Sequence, residues 1–422
     1  MKIKVIYRSR NEFARTNQAE LPKIHRNPKP SLHPFEKPRE YTRALAAVKI
    51  DSMFAKPFIG ALSGHLDGVY SIEKHPKNLS CLLSASADGE VKIWNVLERN
   101  TFFSVQAHNS FIRGLTISRP NGTSFLTCAD DRTIKHWPLN LESINQEIVP
   151  FSTFITQSTL RSQPIQQFSW ETSESTISAK FNPVEHNIFA TTGSDNSIAL
   201  YDVKSRTPIR KLILDNRSNS IAWNPMEAFN FTVANEDNNC YTFDMRKMKE
   251  ALCVHMDHLS AVMDIDYSPT GKEFVSGSYD KTIRIFGYDS GRSKEVYHTR
   301  RMQKIFTVRY SMDAKFIFSG SDDANIRIWK ARKSEPLIVT SRREVQSMRY
   351  RNQLKQRYKN MPEIRRIARH RHLPKILYNL KKMKQEMIQS SRRKLDNIQK
   401  HSRSKKIKKI PARQKFIVTE IK

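Results

Sequence analysis

Histidines, aspartates and aromatics stand in this 422-residue chain at a spacing that could do acid–base chemistry, and the spacing repeats. His65 lies 23 residues before Asp88, which is six before Trp94; His108, Asp131 and Trp137 keep the same intervals, and His258 precedes Asp280 by 22. The six-residue step from Asp to an aromatic returns as Asp195 to Tyr201, Asp237 to Phe243, Asp280 to Phe286 and Asp323 to Trp329. A catalytic His–Asp pair is needed once per site, whereas a pair repeated along a chain is a structural device. We therefore read His65, Asp88, Trp94, His108, Asp131, Trp137, His258, Asp280, Asp323 and Trp329 as locks on a recurring turn, whose carboxylate bonds nearby backbone N–H groups.

The elements that carry these residues are short strands. Apolar runs such as Leu82-Leu83 and Phe316-Ile317-Phe318 lead into the Asp, and alternating apolar positions such as Ile283 and Ile285 follow it; period-two alternation bounded by Gly, Ser and Asp marks strands joined by tight turns. The aromatics are 43, 64, 42, 43 and 43 residues apart, and all but one interval match a four-stranded propeller blade of about 40–45 residues. The exception, between Trp137 and Tyr201, is 22 residues short of two blades at 43 each. The chain therefore reads as all-β: a propeller over 44–340, seven-bladed with a truncated third blade, a six-bladed ring being the alternative. Phe58–Leu62 is expected to close the ring by pairing with the last blade, and Leu337-Ile338-Val339 to supply a final outer strand. Gly64-His65…Trp94-Asn95 and Ala107-His108…Trp137-Pro138 resemble the GH…WD signature of WD-repeat proteins, whose terminal Asp is kept only as Asp202 and Asp244.

Charge is segregated. Residues 1–43 hold 11 basic and 4 acidic residues, 341–422 hold 27 and 5, and 44–340 hold 34 and 32. A nearly neutral ring thus carries two basic arms, a distribution suited to a polyanion, above all nucleic acid. Residues 1–43 are Pro-rich and expected to be an extended arm. Beyond Thr340, Arg342–Asn360 reads as helix, broken at Pro362, and a second helix starts near Lys375. Ile376, Leu380, Met383 and Met387 form one apolar stripe on that helix, to pack on this protein's own ring or on a partner. Lys405, Lys406, Lys408 and Lys409 form a basic cluster expected to be disordered.

Arg365, Arg366, Arg369 and Arg371 offer planar guanidinium groups for phosphates and splayed bases. Their neighbours His370 and His372 suit phosphate or base edges better than a metal ion, which four arginines would repel. The cluster Lys405–Lys409 suits RNA contact or a nuclear address equally. The run RRIARHRHLP (365–374), with LHPFEKPREYTRAL (32–45) and NPMEAFNFTVANEDNNCYTFDMR (224–246), resembles the Sof-like WD-repeat family across nearly the whole chain. That resemblance implies a nucleolar, non-enzymatic assembly factor of the small-subunit processome, acting in small-subunit pre-rRNA processing. Its implied partners are pre-rRNA, a small nucleolar RNP and processome proteins. Family members carry a full third blade, where this chain is shorter.

Family members are also classed among WD-repeat receptors of cullin-RING ubiquitin ligases, which bind the ligase adaptor through W-D-x-R. Phe243-Asp244-Met245-Arg246 fits that element loosely, and Tyr201-Asp202-Val203-Lys204 has Lys where the bidentate Arg belongs. Asp244, Arg246 and Asp202 are therefore candidate adaptor contacts. Cys81, Cys128, Cys240 and Cys253 have no metal-ligand spacing, and no Gly-rich phosphate loop or single-copy nucleophile with a base stands out, so no cofactor is expected. The sequence holds no apolar run of the roughly 18–20 residues that cross a bilayer, and no obligate homo-oligomer is expected.

Overall fold

A computed structural model of the chain describes residues 35–139, 149–155, 175–205, 207–337, 340–402 and 410–421. It separates into two compact units, one of residues up to 55 with 336–370 and one of 56–335 with 371–422.

The larger unit is built of antiparallel blades. Blade one comprises Val69–Lys74, Cys81–Ser86, Glu90–Asn95 and Asn100–Gln106, hydrogen-bonded in chain order. Blades two to five repeat this order, and the first strands of neighbouring blades, blades two and three excepted, pack side by side around the centre. The last blade takes three strands from 305–330 and its fourth from Phe58–Ser63, with Gly60 opposite Ile328 and Leu62 opposite Ile326. The closure expected of Phe58–Leu62 is therefore formed, and it covers an edge that would otherwise pair with another chain. Leu337 lies outside any strand, the outer position of the last blade being filled from the N-terminal side, and Ile338 and Val339 lie outside the described residues.

The blade count differs from the expectation. The described residues form six blades, not seven with a truncated third. Of the long interval between Trp137 and Tyr201, Ser152–Ile155 becomes the outer strand of blade two, and Thr176–Phe181 and Ile188–Gly193 open the next blade. No described strand is left to form a sheet between them. The first strands Ile112–Ile117 and Thr176–Phe181 are not packed together as the other successive first strands are. Thr176–Phe181 accordingly leaves Ile177 and Phe181 exposed, where the matching strand Ile305–Tyr310 is almost wholly buried.

The repeated Asp has one physical cause. In every blade the residue after it is left-handed: Gly89, Arg132, Asn196, Asn238, Lys281 and Ala324, with φ between 61 and 86°. Such a conformation is strained for a side-chain-bearing residue and needs compensation. In five blades the carboxylate supplies it by accepting from the backbone N–H two residues on: Glu90 (3.0 Å), Thr133 (3.0 Å), Ser197 (3.1 Å), Asn239 (2.9 Å) and Thr282 (2.9 Å). The turn then delivers the strand that carries the aromatic near its end, as its fifth residue in five blades and its fourth, Phe286, in Ile283–Gly287. Gly89 has a second constraint, since a Cβ there would lie 2.0 Å from the His108 carbonyl oxygen.

The histidine locks form in full twice. His108 Nδ1 meets Asp131 at 2.8 Å and His258 Nδ1 meets Asp280 at 2.9 Å, while each Nε2 reaches a hydroxyl, Thr127 at 2.8 Å and Ser276 at 2.7 Å. In blade one His65 reaches Ser84 (2.6 Å) but its Nδ1 stands 3.7 Å from Glu90 rather than on Asp88. The indole N–H groups of Trp94, Trp137 and Trp329 donate to the hydroxyls of Ser84, Thr127 and Ser319 at 2.7, 3.0 and 2.9 Å. Where no histidine serves, the Asp takes another partner: Lys211 on Asp195 (2.7 Å), the Tyr241 hydroxyl on Asp237, and Arg327 on Asp323.

Between blades, apolar side chains interlock, as in the cluster of Leu83, Ile93, Ile112, Phe125 and Trp137. Toward the centre a polar network joins them instead. The Asp264 carboxylate accepts from the Ser220 hydroxyl (2.8 Å), the Thr307 hydroxyl (3.0 Å), Val308 N–H (3.0 Å) and Arg309 (2.6 Å), and Arg309 also reaches Glu73 at 3.3 Å. One carboxylate thus ties blades four, five and six, and its arginine extends the tie to blade one.

The smaller unit is helical. Helix α1 (Glu36–Met53), α2 (Arg342–Arg357) and α3 (Pro362–Arg369) enclose Ala44, Val48, Leu354 and Ile364. Pro38 stands in the first turn of α1, where it removes no intrahelical N–H bond. Ser341 caps α2 in a reciprocal capping box with Glu344. Ion pairs Glu40–Arg357 (2.9 Å) and Asp51–Lys355 and the Tyr41–Glu363 hydrogen bond (2.8 Å) join α1 to α2 and α3. The divisions expected at 43/44 and 340/341 therefore shift: the first falls inside α1, whose Ala44 and Val48 are buried with Leu354 and Ile364 of the C-terminal helices. The part of the expected arm before residue 35 lies outside the described residues.

The C-terminal segment returns to the propeller unit. After α4 (Lys375–His401), strand Ile417–Ile421 pairs with the outer strand of blade three, Ile213 opposite Thr419. Phe416 is buried and stacks on Tyr241 of blade four, ring centroids 3.6 Å apart.

Two outcomes follow. Replacing Asp264 by Ala leaves Arg309 buried without its nearest counter-charge, and breaking a buried pair in this way costs about 3–5 kcal/mol. Chemical denaturation should show that loss as a lower midpoint. Burial also carries the His65 and His255 imidazoles down to about 4, against about 6.5 in an unfolded chain. Between these values the unfolded chain binds more protons, so stability is complete above about pH 6.5 and falls toward pH 4. Melting temperatures across that range should drop, and less steeply in a His255→Gln variant.

Candidate nucleic-acid interface

The basic tail is divided between the two units. Helix α3 starts at Pro362, which pre-sets the first turn, and buries Ile364 with Ile367 partly covered beside it. Those two apolar residues fix the helix rotation. Arg365, Arg366 and Arg369 are left exposed on the remaining surface. At 100° per residue, Arg365, Arg366 and Arg369 lie within about 100° of one another on the helix. Arg342, Arg343, Arg349 and Arg351 of α2 are also exposed in this unit. The arrangement is a cationic surface with planar donors held on rigid helices, suited to several phosphates of one strand.

The second half of the motif has different surroundings. Arg371 is only one-fifth exposed and stands 3.6 Å from Glu295, which Lys333 also approaches at 3.1 Å. His298 donates from Nε2 to the His372 carbonyl at 3.3 Å, and burial pushes the His298 imidazole below its ordinary value. Arg371 and His372 thus fasten the chain to the outer strand Ser293–Tyr297 of blade five. Their spacing gave no sign of this, because Glu295 and His298 are more than 70 residues away in sequence. His370 is exposed at the end of α3. Lys405, Lys406, Lys408 and Lys409 lie outside the described residues.

The adaptor candidates form a compact surface feature. Asp244 accepts from the Arg246 backbone N–H at 2.9 Å and from both arms of its guanidinium, Nε at 3.1 Å and NH2 at 3.0 Å. Partial burial raises the Asp244 carboxyl, but these bonds outweigh it and hold the group below its ordinary value. The Arg246 guanidinium lies 4.2 Å over the Phe229 ring, so its orientation is set from two sides while it stays largely exposed. Asp202 instead caps its own turn, accepting from Lys204 N–H at 3.0 Å.

Among the described residues one group could bring three ligand atoms within 4.8 Å for a metal ion: His65, Asp88 and Glu90. Lys92 already places its ammonium 3.1 Å from Glu90, so the cluster carries a fixed cation in addition to its role in the first turn. No described helix is long and apolar enough to cross a membrane.

Comparison with known proteins places these features together. The Sof1-like domain model matches residues 331–417, and the WD domain, G-beta repeat, matches 56–95, 99–138, 250–287 and 295–330. The chain is 47% identical over 428 residues to the "DDB1- and CUL4-associated factor 13" of Xenopus tropicalis, covering 96% of both. It is 44% identical to the protein of that name from Mus musculus, covering all of both chains, and 42% identical to "Protein SOF1" of Saccharomyces cerevisiae, covering 94% of this chain and 91% of that one. The WD40 β-propeller domain of Doa1 superposes with a TM-score of 0.54 at 22% identity, over 66% of this chain and 98% of that one, a likeness of fold alone. With a six-bladed WD40 propeller, a Sof1-like C-terminal region and full-length relatives at this identity, the chain belongs to the Sof1-like WD-repeat family.

Proposed function

We propose that this protein is a non-enzymatic assembly factor of the small-subunit processome in the nucleolus, holding pre-rRNA with its helical unit and neighbouring proteins with its propeller. The observation that carries the reading is the division of labour on α3: Ile364 and Ile367 anchor the helix and Arg365, Arg366 and Arg369 are all presented outward. Structural arginines would be drawn into ion pairs with the ring, as Arg309 and Arg327 are. The outward group is suited to phosphates, and each neutralised phosphate releases counterions and makes binding salt-dependent.

Deleting the tail from 341 onward is a poor test, since it also removes Phe416 and a strand from blade three. Substituting Arg365, Arg366 and Arg369 together by Ala leaves those contacts in place. On single-stranded rRNA fragments the triple variant should lose affinity across sequences and flatten the dependence of log K on log salt by about 2. It should also leave the pre-ribosomal fraction on sucrose gradients. Unchanged co-sedimentation with an unchanged salt slope would remove the role given to α3.

A second reading is favoured by the Asp244–Arg246 fork and by relatives named for association with DDB1 and CUL4. In it, Arg246 is the propeller's contact with a cullin-RING ligase adaptor, the protein serving as a substrate receptor. Arg246→Ala should then reduce adaptor pull-down about ten-fold or more, in the range of an interfacial hot spot, while leaving RNA binding intact. Full retention of the adaptor would argue against this surface.

A further inference from the structure

Helix α4 uses one side and leaves another open. Leu377 is buried, Lys381 and Lys384 are partly covered, and the Lys384 ammonium donates to the His258 carbonyl at 3.1 Å. This is the side laid on the propeller. The stripe of Ile376, Leu380, Met383 and Met387 lies about a quarter-turn away at 100° per residue, and these residues are 74, 46, 59 and 69% exposed. Four large apolar side chains within about 60° of arc form a continuous seam rather than scattered surface residues. Packing on this chain's own propeller, one of the two uses open to the stripe from sequence, is thus taken by a different face.

The chain is fixed on both sides of this helix. Before it, Arg371 stands by Glu295 and His298 bonds the His372 carbonyl. After it, Phe416 is buried on Tyr241 and Ile417–Ile421 is paired to blade three. The seam therefore faces outward from a helix of about 40 Å that is pinned at its lysines and tethered beyond both ends. Its two methionines add an adaptable, polarisable surface of the kind that accepts a partner helix.

We propose that the Ile376–Met387 seam is the docking face for an acidic amphipathic helix of a partner protein. Charge decides the chemistry of the occupant. Over 375–401 the helix has eight basic residues, Lys375, Lys381, Lys382, Lys384, Arg392, Arg393, Lys394 and Lys400, against Glu386 and Asp396. A second copy would bring like charge to like charge. An RNA strand would seek the lysines and gain nothing from the seam. A helix with apolar residues at i, i+3, i+4 and i+7 and carboxylates on its flanks fits both parts of the surface. This inference stands apart from the arginines of α3 and does not rest on their binding RNA.

The test uses the full chain with a photo-crosslinking amino acid at Met383, expressed in its own cells, with the crosslinked peptides sequenced. A peptide from another protein with that apolar spacing and an excess of Asp and Glu is the expected product. Its synthetic form should bind the purified full chain, and the pair Leu380→Asp and Met387→Asp should weaken binding about ten-fold or more without moving the melting temperature, since both positions are exposed. The Arg365, Arg366 and Arg369 triple variant should bind that peptide normally. Crosslinks to RNA, to lipid, to this chain or to a second copy of it would overturn the proposal. So would the absence of any protein crosslink, a peptide lacking the pattern, or equal binding by the Asp variant.

Discussion

A left-handed residue in each blade turn, and the carboxylate that stabilises it, is the constraint on which the ring depends. The turn after Asp88, Asp131, Asp195, Asp237 and Asp280 reverses the chain so that a strand can pair back at once. The Asp oxygen supplies an acceptor for an N–H that the turn would otherwise leave without a partner. Everything later in the blade follows from that reversal, including the arrival of the aromatic beneath the lock hydroxyl. The six-residue interval is the length of strand between the capped turn and the buried ring. The histidine is one of several donors able to bond the Asp, and Lys211, Tyr241 and Arg327 take its place on Asp195, Asp237 and Asp323.

The ring in turn is a platform with few ionisable groups left uncommitted in its interior. Asp264 and Arg309 are spent on joining blades, and the buried histidines His65 and His255 are held neutral by burial. Groups able to meet a partner lie on the propeller's surface or on additions to it: the fork at Asp244 at the end of a blade-four strand, the arginines on α3, and the open seam of α4. The helical unit exists because α1, from before the first blade, supplies the apolar surface that α2 and α3 need. Helices in proteins draw most of their stability from tertiary packing, and Ala44, Val48, Leu354 and Ile364 make these three, of 18, 16 and 8 residues, one body.

Local pattern made much of this legible. The strands and turns of each blade were readable because period-two alternation and an Asp cap are written within a few residues. The ring closure by Phe58–Leu62 was readable because a propeller has one unpaired edge to fill. Helix α4 was readable from its stripe. Helix α1 was not, because Pro38 and the neighbouring prolines resemble an extended arm, and only its burial against α2 and α3 distinguishes a proline in a first turn from one in a loop. The blade count failed for a related reason: a length deficit between Trp137 and Tyr201 does not reveal whether a blade is shortened or omitted.

By itself, the sequence determined the repeating unit, the segregation of positive charge into the ends, and the presence of a guanidinium-rich motif, because each is a property of residues close together in the chain. Tertiary structure decided which of those arginines are available. Arg365, Arg366 and Arg369 face outward because Ile364 and Ile367 are needed inside, and Arg371 is drawn to Glu295 on blade five. It also decided that Ile417–Ile421 belongs to blade three, since that strand needs the edge of Pro208–Leu214 to pair with and Phe416 the Tyr241 ring to stack on. Contacts between residues 70 to more than 300 positions apart depend on the whole ring and the whole helical unit, and no local spacing encodes them.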